Sequence, residues 1–213
     1  MICVIDWGVI AVIVAGVGSL ATAWMAIQTF RSNRNAKDAI LKNKQDSFIN
    51  NIIVLYSNCR KIIEQMPIIS EDCTTLPKPF GLGCLKYIYE NLFKTRLTVR
   101  IDRSLPLSKQ KEEKNVPEKK LVKETFENIV FDRYPDIGMY LSSLVSVIAI
   151  IDDEKTFDDI FKRRCIAYIK TQMSIPEMLW VYYFSMFGYD KDNFLNKYEV
   201  CSNIPKYSLI EMN

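Results

Sequence analysis

The sequence predicts a mostly α-helical protein, with an N-terminal single transmembrane helix followed by a cytoplasmic α-helical domain. Three observations predict it. Residues 7–26, WGVIAVIVAGVGSLATAWMA, run for twenty positions without a charged side chain. Beyond them, apolar residues recur at three- and four-residue spacing, as on one face of a helix. Neither strand–turn–helix alternation nor an internal repeat interrupts that pattern. The expected organisation is a transmembrane helix at 1–30, a juxtamembrane helix at 31–66 and a helical domain at 67–213, with a mobile charged loop near 103–120.

The first element is expected to be an anchor. Ala21-Thr22-Ala23 has the small-x-small form of a signal cleavage site. Against cleavage, the start MICVID carries an acid in place of a basic n-region, and the apolar run continues through Trp24, Met25, Ile27 and Phe30. Arg31, Arg34, Lys37, Lys42 and Lys44 follow as a stop-transfer cluster. Twenty helical residues span about 30 Å, the thickness of a hydrocarbon core. Trp7 and Trp24 fall where interfacial tryptophans belong. With every nearby basic residue on the C-terminal side, the expected placement is single-pass in a bacterial inner membrane, N-terminus outside and the domain in the cytoplasm. The lipid bilayer is therefore an expected partner.

Small residues recur along this span. Ala11, Ala15, Ser19 and Ala23 lie four apart, and Gly18, Thr22 and Ala26 make a second row. Such rows let helix backbones approach closely, so self-association is one reading; small residues are also common in spans generally. With no charge between Trp7 and Ala26, one span alone offers ions no polar pathway, and a pore needs several chains.

From Asn35 to Met66 a helix is expected, with Ile40, Leu41, Phe48, Ile49, Ile52, Ile53, Tyr56 and Ile63 on one broad face. Prolines and glycines between Met66 and Cys84 mark a loop; its GLGC glycines are too few and wrongly placed to cradle a phosphate. Helical spacing resumes through Leu85, Ile88, Leu92 and Leu97. After the charged loop it returns at Leu121, Phe126 and Val130 and breaks near Pro135. MYLSSLVSVIAII, residues 139–151, is too short to cross a bilayer and suits a central core helix, although its β-branched content leaves a buried strand open. An amphipathic helix follows, with Phe157, Ile160, Phe161, Cys165, Tyr168 and Ile169 inward.

The segment QMSIPEMLWVYYFSMFG carries the most local chemistry. Ser174-Ile-Pro-Glu177 is a capping box, in which the serine oxygen accepts from the N3 amide and the glutamate accepts from the N-cap amide. Pro176 suits a first helical turn, and Gly188 can close the helix in a left-handed conformation. Met178, Leu179, Trp180, Val181, Tyr183 and Phe184 make it apolar on nearly every side, hence central. A short amphipathic helix at Asp192–Tyr198 and a loose tail complete the chain.

Composition excludes much chemistry. Histidine is absent, which removes Ser/His/Asp and Cys/His relays, a histidine base and histidine-ligated zinc. The six cysteines lie far apart without a CxxC pair and read as reduced thiols. Asp6 is the one ionisable side chain before Phe30, so residues 31–213 hold 28 basic and 24 acidic residues, a net of +4. That excess is too small and too spread to argue for nucleic acid, and no direct nucleic-acid binding is expected. No catalytic residue, metal site or cofactor is expected. One weak pattern runs the other way: Pro135-Asp136 followed by Asp153-Glu154-Lys155 mimics a PD…DxK nuclease site, which needs the second motif on a strand adjoining the first.

Three stretches together resemble the phage abortive infection family, membrane-anchored bacterial proteins linked with defence against phage. One is the span followed by DSFINNIIVLYSNCRKII, residues 46–63. In the second, residues 136–154, Ile137, Gly138, Tyr140 and Leu144 match the family's Ile-Gly-x-Tyr-Phe-Arg-x-Leu-Tyr pattern, while Leu141, Ser142 and Val145 depart from it. In the third, residues 168–188, Gln172, Ser174, Glu177, Tyr183 and Gly188 match; Lys170 stands for an arginine, Met173 and Met178 for leucines and Phe184 for an asparagine. The resemblance implies a non-enzymatic, membrane-anchored anti-phage effector that oligomerises and perturbs the inner membrane when triggered or released by a partner. That partner is a phage component or an inhibitory complex such as a reverse transcriptase with its RNA. Lys170, Gln172, Glu177 and Tyr183 are the candidate ligand or partner contacts. A membrane-tethered scaffold without toxicity is the remaining alternative.

Overall fold

The computed structural model describes residues 7–69, 79–101, 112–114 and 116–212. Side chains are described from Trp24 onward within those ranges, apart from 99–101 and 112–114, and at Thr22. Among the span candidates, Ala11, Ala15, Gly18, Ser19 and Ala23 lie outside the described side chains, as do Cys3 and Cys73; so do residues 103–111 and 115 of the expected loop. The chain divides into two compact units, the first ending at Ile49 and the second running from Asn50 to Asn213.

Helix α1 is Trp7–Glu64. In the first unit, every described side chain from Trp24 to Lys44 is exposed, Ile40 and Leu41 included. The broad apolar face expected there therefore starts later. In the second unit Ile52, Tyr56, Cys59 and Ile63 are buried, at steps of four, three and four that keep one stripe of the helix inward. The helix ends ahead of Pro67, which disfavours the α conformation in the residue before it.

The rest of the second unit is helical apart from one short strand pair. Helix α2 (Leu82–Tyr87) widens into a π-helical segment, Ile88–Lys94, and tightens again as α3 (Thr95–Thr98). The Thr95 hydroxyl donates to the Glu90 carbonyl and the Thr98 hydroxyl to that of Lys94, satisfying carbonyls around the widened turns. Strand β1 (Val99–Ile101) pairs antiparallel with β2 (Glu112–Lys114), Arg100 opposite Glu113. Part of the expected loop is thus strand, and α4 (Lys119–Glu127) begins within its last two residues.

Helix α4 passes into a second π-helical segment, Asn128–Arg133, closed by the Tyr134 amide donating to the Ile129 carbonyl at 2.8 Å. Pro135 then opens α5 (Pro135–Asp153), where its missing N–H leaves nothing unpaired. The apolar run at 139–151 is therefore helix. Among the described residues α5 alone is long and apolar enough to cross a membrane by length and composition. It buries Ile137, Tyr140, Leu141, Leu144, Val147, Ile148 and Ile151, and it packs against its neighbours as a core helix. A Cβ on Gly138 would lie 3.0 Å from the Val130 carbonyl and 3.1 Å from the Phe131 ring, so only glycine lets α5 approach the preceding segment.

Helix α6 (Asp159–Gln172) starts on Asp158, whose carboxylate accepts from the Phe161 amide at 2.8 Å. Phe161, Cys165 and Ile169 are inward as expected, and Ile166 joins them. Ile160 and Tyr168 are not: they are 64 % and 42 % exposed. Helix α7 (Ile175–Met186) crosses the centre and ends at Gly188, with φ of 84° and the Tyr189 amide reaching back to the Phe184 carbonyl. Helix α8 (Phe194–Lys197) is held by the buried Asp190 carboxylate, which accepts from the Phe194 and Leu195 amides. The tail is not loose. Tyr89 and Lys94 donate to the Ser208 carbonyl, Lys94 also to that of Tyr207, and the Ile210 amide donates to the Tyr183 hydroxyl.

Candidate functional site

The four residues expected to contact a ligand or partner fall in different places. Lys170 donates to the Glu199 carbonyl at 2.7 Å and to the Ser202 hydroxyl at 3.1 Å, tying α6 to the turn after α8. Tyr183 is fully buried, its hydroxyl accepting from the tail. Gln172 ends α6 and takes part through its backbone: its carbonyl accepts from Arg60 Nη1 at 3.1 Å. Glu177 is 0 % exposed, on the first turn of α7. Only Gln172 and Glu177 come together, and Arg60 of α1 joins them.

Around Glu177 a compact polar cluster forms. The capping box places the carboxylate: Oε2 accepts from the Ser174 amide at 2.7 Å, while the Glu177 amide donates to the serine hydroxyl at 3.4 Å. The other oxygen, Oε1, accepts from the Tyr140 hydroxyl at 3.0 Å and faces Arg60 Nε at 3.9 Å. Arg60 also pairs with Glu64, at 3.4 Å, on its solvent side. Tyr56, one turn before Arg60, brings its buried hydroxyl beside the same group, against the Tyr140 hydroxyl. A fully buried carboxylate needs such company, because removing it from water costs far more than the fold can leave uncompensated.

This arrangement joins the two stretches of family resemblance. Tyr140 belongs to the Ile-Gly-x-Tyr stretch and Glu177 to the Gln-x-Ser-x-x-Glu stretch, and one hydrogen bond connects them. Gly138 in the first stretch lets α5 lie close against the preceding π-helical segment. Sequence reasoning missed Arg60. Its signal was present, since it lies four residues after Tyr56 and three before Ile63, a lone charge on an otherwise inward stripe.

The chemistry of the cluster is that of binding and cohesion. Burial first, then the Glu177 charge, pushes both Tyr140 and Tyr56 above the ordinary phenol range, so both stay protonated at neutral pH. Both carboxylate oxygens of Glu177 are engaged. The PD…DxK alternative finds no geometry: Asp136 and Asp153 lie seventeen residues apart on α5, about 25 Å along its axis, far beyond any shared cation. Three of the described thiols are made poor nucleophiles by burial. Cys59 and Cys165 are buried and pushed upward by that burial, and burial lifts the Cys201 thiol to about 12.

Two cavities adjoin α7 and α1. A groove of about 390 Å³ lies between the first π-helical segment and α7, lined by Tyr89, Lys94, Pro176, Leu179 and Tyr207. A cleft of about 200 Å³ opens beside the polar cluster, between α1 and α6, lined by Tyr56, Ser57, Arg60, Lys61, Glu64 and Gln172.

Neither a curated protein nor a solved structure matches this chain. Residues 133–209, which contain α5 through the tail and both Tyr140 and Glu177, match the family model described as "Putative phage abortive infection protein".

Proposed function

We propose that this protein is a membrane-anchored effector of abortive infection, acting by self-association of its N-terminal helix in the inner membrane once a partner triggers or releases it. The observation that carries the defence role is the family match over residues 133–209. The membrane part rests on the twenty uncharged residues at 7–26 with the basic cluster behind them. Ala11, Ala15, Gly18, Ser19, Thr22 and Ala23 supply the small-residue rows along which copies of the span would pack. The helical domain carries the sensing or inhibitory contact, with a phage component or a reverse transcriptase–RNA complex as the partner.

The test is inducible expression in bacteria of the intact chain and of a form without residues 1–30, following growth and membrane potential together. Early depolarisation that requires the span supports the reading, and replacing Ala15 and Ser19 with bulky residues should then abolish it. Equal toxicity from the truncated form, or growth arrest with polarised membranes, would remove the membrane mechanism. If neither form is toxic, phage challenge of cells carrying the intact chain separates an untriggered effector, which protects, from an inert scaffold, which does not.

A further inference from the structure

We propose that the strip of the domain beneath residues 207–210 is a recognition site for an extended peptide, filled in this structure by the chain's own tail. Lys94, Tyr89 and Tyr183 read the tail there through its main chain. Lys94 donates to the Tyr207 and Ser208 carbonyls at 2.9 and 3.3 Å, and Tyr89 donates to the Ser208 carbonyl at 2.7 Å. The Tyr183 hydroxyl accepts from the Ile210 amide at 2.8 Å. Leu209 between them is extended, with φ of −79° and ψ of 155°, so the Ser208 carbonyl and the Ile210 amide turn to one side. A residue of a neighbouring parallel strand would meet that same pair of groups with its own N–H and C=O. The Tyr89 and Tyr183 hydroxyls, which lie against each other, take its place. The widened turns of the first π-helical segment make this possible: five residues apart, Tyr89 and Lys94 would diverge by about 140° on an α-helix.

Side-chain identity enters chiefly at Ile210, which is 3 % exposed, while Lys206 and Tyr207 face solvent. Main-chain bonds that suit any extended segment, joined to one buried aliphatic side chain, are a recurring mode of peptide recognition. Beside the tail the groove of about 390 Å³, walled by Tyr207, Ser208, Pro176 and Leu179, leaves room for the flanking residues of a longer segment. When the tail lifts, Tyr89, Tyr183 and Lys94 lose their main-chain partners, and another segment of the same form restores them. Each copy of the chain carries one seat and one tail, so a second copy whose tail is in place has no free segment to offer. The occupant is a segment of another protein, extended and carrying an aliphatic side chain where Ile210 stands.

The site is independent of the membrane mechanism, since both of its tests are read on the full chain purified in detergent, without reference to toxicity. Hydrogen exchange in the wild type reports whether the tail lifts while the domain stays folded. The Ile210 amide is expected to exchange at least about tenfold faster than the amides in the middle of α7; equal protection would overturn the proposal. A labelled peptide of residues 204–213 is then titrated into wild type and into Ile210→Ala, whose own tail competes less well. Binding to the variant is expected to be at least about tenfold tighter, because the seated tail is an intramolecular competitor. The same peptide bearing Ile210→Asp should bind neither protein, while one bearing Tyr207→Ala should bind as the parent peptide does. No saturable binding of the parent peptide to Ile210→Ala, or equal binding of the peptide bearing Ile210→Asp, would overturn the site. Self-association of the chain that the parent peptide competes away would make a second copy's tail the occupant and overturn the assignment to a separate partner.

Discussion

Helix α7 is buried in two ways, and the contrast separates what makes the domain stable from what makes it particular. Its middle packs into an aromatic centre. The Trp180 ring lies 5.4 Å from Phe93, 5.9 Å from Phe126 and 5.8 Å, edge-on, from Tyr89, while Tyr183 meets Phe93 edge-on at 5.0 Å. Its polar groups are each met, Trp180 Nε1 by the Leu85 carbonyl at 3.3 Å and the Tyr183 and Tyr89 hydroxyls by the tail. Its first turn, by contrast, holds the Glu177 carboxylate with Ser174, Tyr140 and Arg60. The aromatic centre is non-directional and gains by area. The polar cluster gains little in net stability and loses heavily when one member is removed, because the remainder are stranded without water.

The largest expected effect is in the aromatic centre. Trp180→Ala should destabilise by about 3–5 kcal/mol, measured by denaturant unfolding of the purified chain, while Trp180→Phe costs appreciably less. A near-zero change on Trp180→Ala would mean that the ring stack is not what holds α7. Next, Glu177→Ala should cost about 3 kcal/mol by stranding the Tyr140 hydroxyl and the Ser174 amide. Glu177→Gln should cost much less, and a double-mutant cycle with Tyr140→Phe should return a coupling of about 1 kcal/mol. Additivity there would break the contrast, because it would mean the two groups do not act together.

Gly138→Ala tests the close approach of α5 to the segment before it. With the Val130 carbonyl 3.0 Å from the new methyl, a loss of about 1–3 kcal/mol is expected, visible as a lowered Tm. The smallest effect belongs to an exposed pair that serves as a baseline. Asp152 accepts from Lys197 and from the Tyr198 hydroxyl, and these, the Lys197 contact first, hold its carboxyl below the ordinary value of 3.8. A carboxylate held low adds stability above that value and loses it as pH falls below. Asp152→Asn should therefore cost under about 1 kcal/mol at pH 7, and its difference from wild type should shrink as pH falls from about 4 towards 2. A constant difference across that range would show that the charge is not what matters.

How much of this was legible in the sequence follows from how local each feature is. The capping box at Ser174 and Glu177 and the left-handed turn at Gly188 need only neighbours a few residues away, and both are present. The apolar run at 139–151 was legible as buried but not as helix, since β-branched content served either reading until Pro135 was seen opening α5. Ile160 and Tyr168 matched the inward periodicity of α6 yet face out, because periodicity marks a stripe and not how far neighbours cover it. The cluster itself was half legible. Glu177 and Gln172 were singled out, but Arg60 reaches them across 112 and 117 residues of chain, a separation no local spacing encodes. The π-helical segments had no signal either, being set by where α2 and α4 must turn to present Phe93 and Phe126 to Trp180.

The tail has a consequence for the order of events during synthesis. The hydroxyl of Tyr183, in the middle of the aromatic centre, receives its bond from the amide of Ile210, and Tyr89 and Lys94 are occupied by Ser208. The full set of bonds around the aromatic centre therefore forms only once residue 210 has left the ribosome. The N-terminal segment has by then been available for the time taken to make some 180 residues, roughly 10–40 s at bacterial elongation rates. Synthesis of the first helix and completion of the domain are separated in time by the chain's own layout, and a ribosome stalled before residue 210 leaves the aromatic centre without its last bond.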